Sequence, residues 1–195
     1  TRPVMLEDQI SYSALRRKIY SVVDRVITLS LTDRVIAVSE RGFNHLNRHC
    51  GVEEKRLTLI WNGIDLRRIS ARDYEAVTCR ETEKVPVRFG MVAQLFPPKG
   101  WFDFLEVIAG LKRRGNSVRG IIVGDGPLRN FLLQRVHDLD LADEVVFEGF
   151  VEDVRTVLKS FDVFLFTSHR EGLSVAVIEA LATGLPIVAT DVGGI

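Results

Sequence analysis

The distribution of apolar residues predicts alternating strands and helices over the second half of the chain. Short apolar runs, which predict strands, fall at residues 87–93, 119–123, 145–148, 163–166 and 186–189. Segments with apolar residues at helical spacing lie between them, at residues 101–114, 127–139, 153–160 and 174–183. The run Gly120-Ile121-Ile122-Val123 has no polar alternation, which is typical of a strand buried on both faces. This order predicts an α/β fold: a Rossmann-like parallel sheet with helices on both faces.

The first part of the chain carries a shorter form of the same pattern. Strands are predicted at residues 35–38 and 57–60, and Ser39 is placed to cap a helix from Glu40 to His49. Residues 10–30 also have helical spacing, with several basic residues among them. A helix packed on its own domain with a solvated basic face is the favoured interpretation. A helix lying on a membrane surface is the alternative.

Two segments mark boundaries. Residues 66–86 lose all periodicity, are rich in charge and end at Pro86, which predicts an interdomain linker. The chain starts at Thr1 without a signal-peptide layout, and it stops at Ile195 in what reads as a turn. We therefore expect truncation at both ends.

Composition limits the classes of function. The chain has 26 basic and 26 acidic residues among 195, so it lacks the basic excess that nucleic-acid binding usually leaves. Cys50 and Cys79 match no metal-ligand spacing and fit reduced thiols in a cytosolic protein. No apolar run approaches the roughly 20 residues that span a bilayer.

Ligands on parallel sheets bind at the carboxyl ends of the strands, so the loops that follow each strand carry the candidate chemistry. In the loop from Gln94 to Gly100, Lys99 precedes a helix, where its charge and the free backbone N–H groups would suit a phosphate. A solvated surface lysine is the alternative.

A second loop, Gly124-Asp125-Gly126-Pro127, begins like a dinucleotide fingerprint. The third glycine of that fingerprint would fall at position 129, which is Arg129, so a nicotinamide or flavin enzyme is disfavoured. Pro127 suits the first turn of a helix. In a third loop, Gly149 would permit close backbone approach, and Phe150 would either contact a flat base or belong to the core.

The loop and helix between Ser168 and Pro186 carry the strongest signal. The helix is apolar on nearly every face, so we expect it to be buried, and Glu179 is its only charged residue. If the helix begins near Leu173, Glu179 lies ~9 Å along it. Together with Glu171 in the loop, it could hold two sets of hydroxyls on one elongated ligand. Alternatively, Glu179 pairs with a buried arginine or sits at the rim.

At these residues the chain resembles the retaining glycosyltransferases with the GT-B fold, a family that includes many bacterial polysaccharide and lipopolysaccharide transferases. The resemblance covers roughly residues 34–195, and two glutamates separated by seven residues are the family's signature. Its landmarks are Asp33-Arg34-Val35-Ile36-Ala37-Val38-Ser39, Asn62-Gly63-Ile64-Asp65, Lys99-Gly100, Gly124-Asp125-Gly126-Pro127, Glu148-Gly149-Phe150, Glu171 through Glu179, and Gly184-Leu185-Pro186.

The resemblance implies roles for the matching positions. The catalytic pair would be Glu171, which contacts hydroxyls of the donor sugar, and Lys99, which neutralises the leaving diphosphate. Glu179 would bind the ribose hydroxyls. The other implied donor-binding residues are Gly172, Leu173, Ser174, Gly124, Phe150, Val151 and Gln94. The family usually has an arginine at the position of Gln94, so either phosphate affinity is lower here or another part of the site supplies it.

The resemblance also implies the domain organisation and the reaction. Residues 1–65 would end an amino-terminal, acceptor-side domain, and residues 87–195 would form an incomplete carboxyl-terminal domain that binds the nucleotide sugar. The expected reaction transfers a hexose from a nucleoside diphosphate sugar to an acceptor hydroxyl with retention, in cell-surface polysaccharide or glycolipid synthesis. The alternatives are an epimerase or phosphorylase of the same fold, or a non-catalytic nucleotide-sugar-binding subunit.

The remaining expectations concern cofactors and location. The family generally works without a bound divalent metal, and we expect neither a cofactor nor a metal site. The expected partners are the nucleotide-sugar donor and a saccharide or glycolipid acceptor. A cytoplasmic protein is expected, with peripheral association at the inner face of the membrane through the amino-terminal domain left open.

Overall fold

The computed structural model describes residue 26 and residues 30–68 and 86–195. The predicted helix over residues 10–30 lies outside the described residues apart from positions 26 and 30, and so does the predicted linker between residues 69 and 85. The chain divides into two compact units, one of residues 1–62 with Gly194 and one of residues 63–193 with Ile195. Each unit is described by itself.

The first unit contains a parallel pair of strands, β1 (Val35–Ala37) and β2 (Leu57–Leu59), with Val35 opposite Leu57. Helix α1 (Glu40–Arg48) connects them and is followed by a 3₁₀ turn at Glu54–Arg56. The Ser39 hydroxyl accepts a hydrogen bond from the Gly42 backbone N–H at 3.1 Å, so the predicted cap is confirmed. The three elements match the sequence prediction to within one residue at each end.

The second unit contains a sheet of five parallel strands in the order β5-β4-β3-β6-β7. Its strands are β3 (Val87–Val92), β4 (Val118–Val123), β5 (Val145–Gly149), β6 (Val163–Phe166) and β7 (Ile187–Ala189). Its helices are α2 (Trp101–Arg113), α3 (Arg129–Asp138), α4 (Val154–Leu158) and α5 (Val175–Ala182). The predicted alternation is confirmed, because apolar runs between turn residues leave little freedom in placing buried strands.

Helices cover both faces of this sheet. The chain steps outward from β3 through β4 to β5, then returns to β6 on the other side of β3 and continues to β7. Right-handed crossovers therefore place α2 and α3 on one face and α5 on the other. Accordingly, α2 contacts α3, whereas α5 contacts α4, β6 and β7. The predicted α/β class, with a Rossmann-like parallel sheet, is confirmed.

The central strands β3 and β6 are joined by a charged clamp as well as by the sheet. The Asp162 carboxylate accepts the Arg88 backbone N–H at 2.8 Å and the Arg88 Nη2 donor at 3.0 Å. Beside them, Phe161 is fully buried against Gly90, where an added Cβ would lie 2.2 Å from the ring. These contacts fix the register of the two strands, and so fix the starting points of the loops that follow them.

Helix α5 departs from the sequence prediction in two ways. We expected it to be buried, but within it only Val177 and Ala180 are buried, and Leu181 is 61% exposed. Within the described part of the chain, its main contacts are with β6, β7 and α4, and Val175 and Leu181 are left exposed. The helix also begins at Val175, since Ser174 is extended, so Glu179 lies ~6 Å along it rather than ~9 Å.

No helix within residues 30–68 and 86–195 combines the length and apolar character needed to cross a membrane.

Candidate functional site

The candidate site lies where the strand order reverses, between β3 and β6. The chain leaves β3 toward β4 on one side and leaves β6 toward β7 on the other, so the loops after β3 and β6 diverge and leave a crevice. A cavity of about 450 Å³ opens there. It is lined mainly by the loops that follow β3, β4, β5 and β6 and by the first turn of α5.

This cavity brings together most of the residues singled out from the sequence. They are Gln94, Lys99, Gly124, Phe150, Val151, Glu171, Leu173 and Ser174. Gly172 lies between two lining residues without lining the cavity itself, and Glu179 lines a neighbouring cavity. Asp125 and Val154 also line the larger cavity and were not predicted.

Lys99 and Glu171 form an ion pair inside the larger cavity. Lys99 Nζ lies 2.5 Å from Glu171 Oε1, and their side chains are 25% and 10% exposed. Lys99 ends a 3₁₀ turn at Pro97–Lys99, and Glu171 lies in the loop after β6. The pair places a cation at the cavity wall and leaves carboxylate lone pairs for a second partner.

The two loops that carry this ion pair pack backbone against backbone. Gly100 has φ 69°, and a Cβ there would lie 1.8 Å from the Thr167 carbonyl oxygen. The Thr167 hydroxyl donates to the Gly100 carbonyl at 2.8 Å, and the His169 N–H donates to the Pro98 carbonyl at 2.8 Å. The loops therefore hold Lys99 and Glu171 at a fixed separation.

Gln94 and Gly124 also line the cavity. The buried Trp101 indole donates to the Gln94 carbonyl at 2.9 Å, while the Gln94 side chain is exposed. Gly124 has φ 137° and packs so closely that a Cβ would lie 2.0 Å from the Ala93 carbonyl oxygen. Since Gly124 donates its N–H to the Gly149 carbonyl at 2.7 Å, the loops after β3, β4 and β5 are connected.

Phe150 stands at the rim of the larger cavity. Its ring is 78% exposed, so the core position that the sequence left open is wrong. Gly149 has φ 72°, and this left-handed residue ends β5 and turns the chain outward just before Phe150. An exposed ring beside a cavity is available to stack on a flat ligand.

Glu179 lines a second cavity of about 360 Å³, which adjoins the first because Val154 lines both. Its other lining residues are Ile64, Asp65, Glu152, Asp153 and Arg155. Burial raises the pKa of the half-buried Glu179 carboxyl above its ordinary value, and Asp153 raises it further, whereas Arg155 lowers it. Desolvation therefore disfavours the ionised form of this carboxyl, and the positive charge of Arg155 favours it.

Arg155 and Asp153 were not found by sequence reasoning. Asp153 caps α4, and its carboxylate accepts the Arg155 backbone N–H at 3.2 Å and the Arg155 Nε donor at 2.5 Å. The predicted start of this helix at residue 153 could have identified the cap. No local pattern links Arg155 to Glu179, which lies on another helix, although a partner arginine was one of the two alternatives considered for that carboxylate.

Among residues 30–68 and 86–195, no group of three or more histidine, cysteine, aspartate or glutamate residues is arranged to hold a metal ion.

Two protein families match this chain. The family described as glycosyl transferases group 1 matches residues 80–195, which include every candidate site residue. The family described as glycosyltransferase family 4 matches residues 7–68.

Individual relatives are longer than this chain. It is 27% identical over 167 residues to the 2-deoxystreptamine glucosyltransferase of Streptomyces kanamyceticus, covering 83% of this chain and 43% of the relative. It is 26% identical over 194 residues to the UDP-Gal:alpha-D-GlcNAc-diphosphoundecaprenol alpha-1,3-galactosyltransferase of Escherichia coli, covering 94% and 50%. The chain thus spans about half the length of the curated relatives it matches.

A solved structure has the same fold. HepE of Anabaena, crystallised in complex with UDP and glucose, superposes with a TM-score of 0.76 at 22% identity, covering 91% of this chain and 50% of HepE.

Proposed function

This chain belongs to the family of group 1 glycosyl transferases, and we propose that it supplies the donor-binding side of a retaining glycosyltransferase. The proposed reaction moves a hexose from a nucleoside diphosphate sugar to an acceptor hydroxyl. The bond from the anomeric carbon to the diphosphate breaks and a bond to the acceptor oxygen forms. The diphosphate leaves with the electron pair of the broken bond, and the proton of the acceptor hydroxyl passes to a diphosphate oxygen or to solvent.

The observation that carries this proposal is the Lys99–Glu171 pair in the larger cavity. A fixed cation in a partly desolvated site stabilises the charge that develops on a departing diphosphate more than it stabilises the ground state. The Glu171 carboxylate has the acceptor capacity to orient sugar hydroxyls. Leaving-group stabilisation and positioning are the contributions we assign to this chain.

The nucleoside end of the donor would extend away from that pair. Phe150 and Val151, which line the larger cavity, would border a base, and Glu179 in the adjoining cavity would accept from ribose hydroxyls. Two cavities that share Val154 suit an elongated ligand with two sets of hydroxyls. HepE, which shares the fold, was crystallised with UDP and glucose, and this supports a nucleotide-sugar donor.

We propose a matching division of the chain. Residues 1–65 would close an acceptor-side domain, residues 66–86 would link the domains, and residues 87–195 would bind the donor. The two family matches, at residues 7–68 and 80–195, support that division. Limited proteolysis should cut first within residues 66–86. A first cut elsewhere would argue against this linker.

The acceptor and the setting are proposed from the resemblance and the relatives. A relative in Escherichia coli is named for an acceptor sugar on diphosphoundecaprenol, which supports a saccharide or glycolipid acceptor in polysaccharide or glycolipid synthesis. We propose a cytoplasmic protein acting at the inner face of the membrane, and a reaction that needs no divalent metal. Activity that disappears in a chelator and returns with a metal would overturn the last point.

Binding and transfer together test the proposed function. Titration calorimetry of the 195-residue chain with uridine and guanosine diphosphates should detect weak binding, since Gln94 adds no charge. A radiolabelled-donor assay should detect no transfer by this chain alone, because the acceptor domain would be largely missing from it. Failure of a folded chain to bind either nucleotide would remove the donor-site assignment. Transfer by this chain alone would show that the catalytic machinery had been misplaced.

One observation favours a second function, that of a non-catalytic nucleotide-sugar-binding subunit. Gln94 lines the cavity at a position where the resemblance implies an arginine, so the site offers less positive charge to a leaving diphosphate. Such a subunit would bind the nucleotide as weakly as predicted above, yet the full-length protein would form no glycosylated product.

A further inference from the structure

Arg155 shares the smaller cavity with Glu179 although the two residues lie on different helices. Arg155 is in α4 and Glu179 is in α5, and the two helices contact each other. The Arg155 side chain is 25% exposed, so most of it is covered by protein. The two charges attract each other across this cavity. The guanidinium is therefore part of the surroundings of the carboxylate that we assign to the ribose.

Asp153 holds the Arg155 side chain in a defined position. Arg155 Nε donates to Asp153 Oδ1 at 2.5 Å, and Arg155 Nη2 donates to Asp153 Oδ2. A planar guanidinium gripped by both oxygens of one carboxylate loses most of its freedom to rotate. Asp153 also caps α4 through the Arg155 backbone N–H. The Arg155 guanidinium is thus held at the amino-terminal end of α4.

The charged residues that line the cavity with Glu179 belong to three segments of the chain. Asp153 and Arg155 belong to α4 and its cap, Glu152 precedes the cap, and Asp65 lines the cavity from the start of the unit. Arg67 pairs with Asp65 through Nε at 2.9 Å, which offsets part of that negative charge. The strands β6 and β7, on which α5 packs, contain no charged residue. Among the described residues that line this cavity, Arg155 is the only positively charged one, so it is the counter-ion available to Glu179.

We propose that Arg155, anchored by Asp153, is a positioning residue that keeps the Glu179 carboxylate ionised and aimed at the ribose hydroxyls of the bound nucleotide. This inference rests on the proposed function, because it assumes that Glu179 receives a ribose. It adds a residue that acts on the nucleotide only through Glu179.

The physical consequence depends on protonation. An ionised carboxylate accepts from both hydroxyls of a ribose, whereas a protonated carboxyl loses part of that acceptor capacity. Burial and Asp153 raise the pKa of Glu179, and Arg155 opposes them. Removing Arg155 leaves both raising effects in place and leaves Asp153 without its anchored cation. Nucleotide affinity should then start to fall at a higher pH than in the unmodified chain.

The test compares the ligand with and without ribose hydroxyls. Calorimetry would measure binding of whichever of uridine or guanosine diphosphate the unmodified chain binds, and of its 2′,3′-dideoxy analogue. Arg155→Met should weaken binding of the ribonucleotide roughly 3- to 10-fold, a fraction of what a charged hydrogen bond contributes. It should leave binding of the dideoxy analogue unchanged. Arg155→Lys keeps the charge without the two-point grip and should recover part of the loss.

Controls separate this role from a structural one. Lys159→Met removes one positive charge at the end of the same helix, outside both cavities, and should change neither ligand's affinity. Arg155→Gln provides a second uncharged variant in case Arg155→Met does not fold. Measured from pH 5 to pH 8, the two uncharged variants should lose ribonucleotide binding at a higher pH than the unmodified chain.

Three results would count against the proposal or its basis. An equal loss for the ribonucleotide and its dideoxy analogue would show that Arg155 does not act through the ribose, and the inference would be wrong. Unchanged affinities and an unchanged pH profile would have the same meaning. If the unmodified, folded chain bound neither nucleotide, the proposed function itself would fail, and the inference with it.

Discussion

Lys99 Nζ and Glu171 Oε1 lie 2.5 Å apart although 72 residues separate them in sequence. The contact joins the loop after β3 to the loop after β6, the two strands at which the sheet order reverses. Both side chains are largely buried, so removing one of them would leave the charge of the other without its partner, which is destabilising. A diphosphate entering this cavity would share Lys99 with Glu171.

Lys99→Ala is expected to reduce kcat of the full-length enzyme by a factor on the order of 10²–10³, as for other donors that stabilise developing charge. Donor KM should change less, because the leaving group carries more charge in the transition state than in the substrate. Lys112→Ala is a matched control, since it removes a lysine that is paired with Glu144 and lines neither cavity. Steady-state kinetics of both variants would decide, and an unchanged kcat in Lys99→Ala would make Lys99 a structural partner of Glu171 only.

Gln94→Arg is expected to strengthen nucleoside diphosphate binding by about 10-fold at low salt, since a charged donor to phosphate contributes more than a neutral one. Gln94 is exposed and lines the cavity, and its carbonyl is held by Trp101, so the substitution should leave the loop in place. Calorimetry at two ionic strengths would measure the gain, which salt should reduce.

Gln94→Met is the control for that gain. It has similar length but no charge and no polar donor, so it should bind no better than the unmodified chain. If Gln94→Arg bound no better either, position 94 would not face the phosphates.

The second unit could be predicted from sequence because its strands are short apolar runs separated by loop residues. The predicted bounds of β6 (Val163–Phe166) agree with the structure, and each of the other four strands differs from its prediction by one residue at one end. Strand order did not follow from the pattern, since the apolar run of β6 carries no mark that it pairs with β3 rather than with β5. The structure supplies that pairing, and with it the contact between Lys99 and Glu171.

The site was only partly predictable for the same reason. Lys99 and Glu171 each lie in a loop with the right chemistry, and the resemblance assigns both to the donor site without implying that they pair with each other. Arg155 lies within a five-residue helix and contributes through another helix, so no local signal marks it. The exposure of Leu181 was missed because an apolar sequence shows what a helix can bury and not what is present to cover it.

Glu179→Gln is expected to raise the donor KM of the full-length enzyme about 10-fold with a smaller effect on kcat, because a neutral amide replaces a charged acceptor for the ribose. The same substitution should weaken donor binding but slightly stabilise the fold at neutral and alkaline pH. Burial raises the folded-state pKa of Glu179 above its ordinary 4.5, so ionisation costs stability as pH rises through and above that value. The variant should therefore have a Tm slightly above that of the parent at pH 8.

Thermal unfolding at two pH values checks that sign. At pH 4 the parent carboxyl is largely protonated, and the difference in Tm should disappear. A variant that is less stable at pH 8 would show that the carboxylate makes stabilising contacts that outweigh its burial. An unchanged donor KM would separately remove Glu179 from the ribose site.

Gly100→Ala is expected to destabilise the second unit and to weaken nucleotide binding, because the loops that carry Lys99 and Glu171 meet at this residue. Gly100 has φ 69°, and an added Cβ would lie 1.8 Å from the Thr167 carbonyl oxygen. Gly115→Ala is the matched control, since Gly115 has φ 80° but nothing within 4 Å of an added Cβ. Both variants lose about 1–2 kcal/mol of unfolding free energy to the left-handed backbone.

The difference between the two variants therefore isolates the contact between the loops. Relief of the overlap requires the 97–100 turn to move away from Thr167, and Lys99 must move with it because it is the adjacent residue. Urea unfolding should show a loss for Gly100→Ala of roughly 3 kcal/mol or more, in the range of other overpacked sites combined with backbone strain. Nucleoside diphosphate affinity, measured by calorimetry on the folded fraction, should fall for Gly100→Ala and stay unchanged for Gly115→Ala. Equal losses of stability with equal affinities would mean that the loops can separate without moving Lys99, and that their packing does not set the geometry of the ion pair.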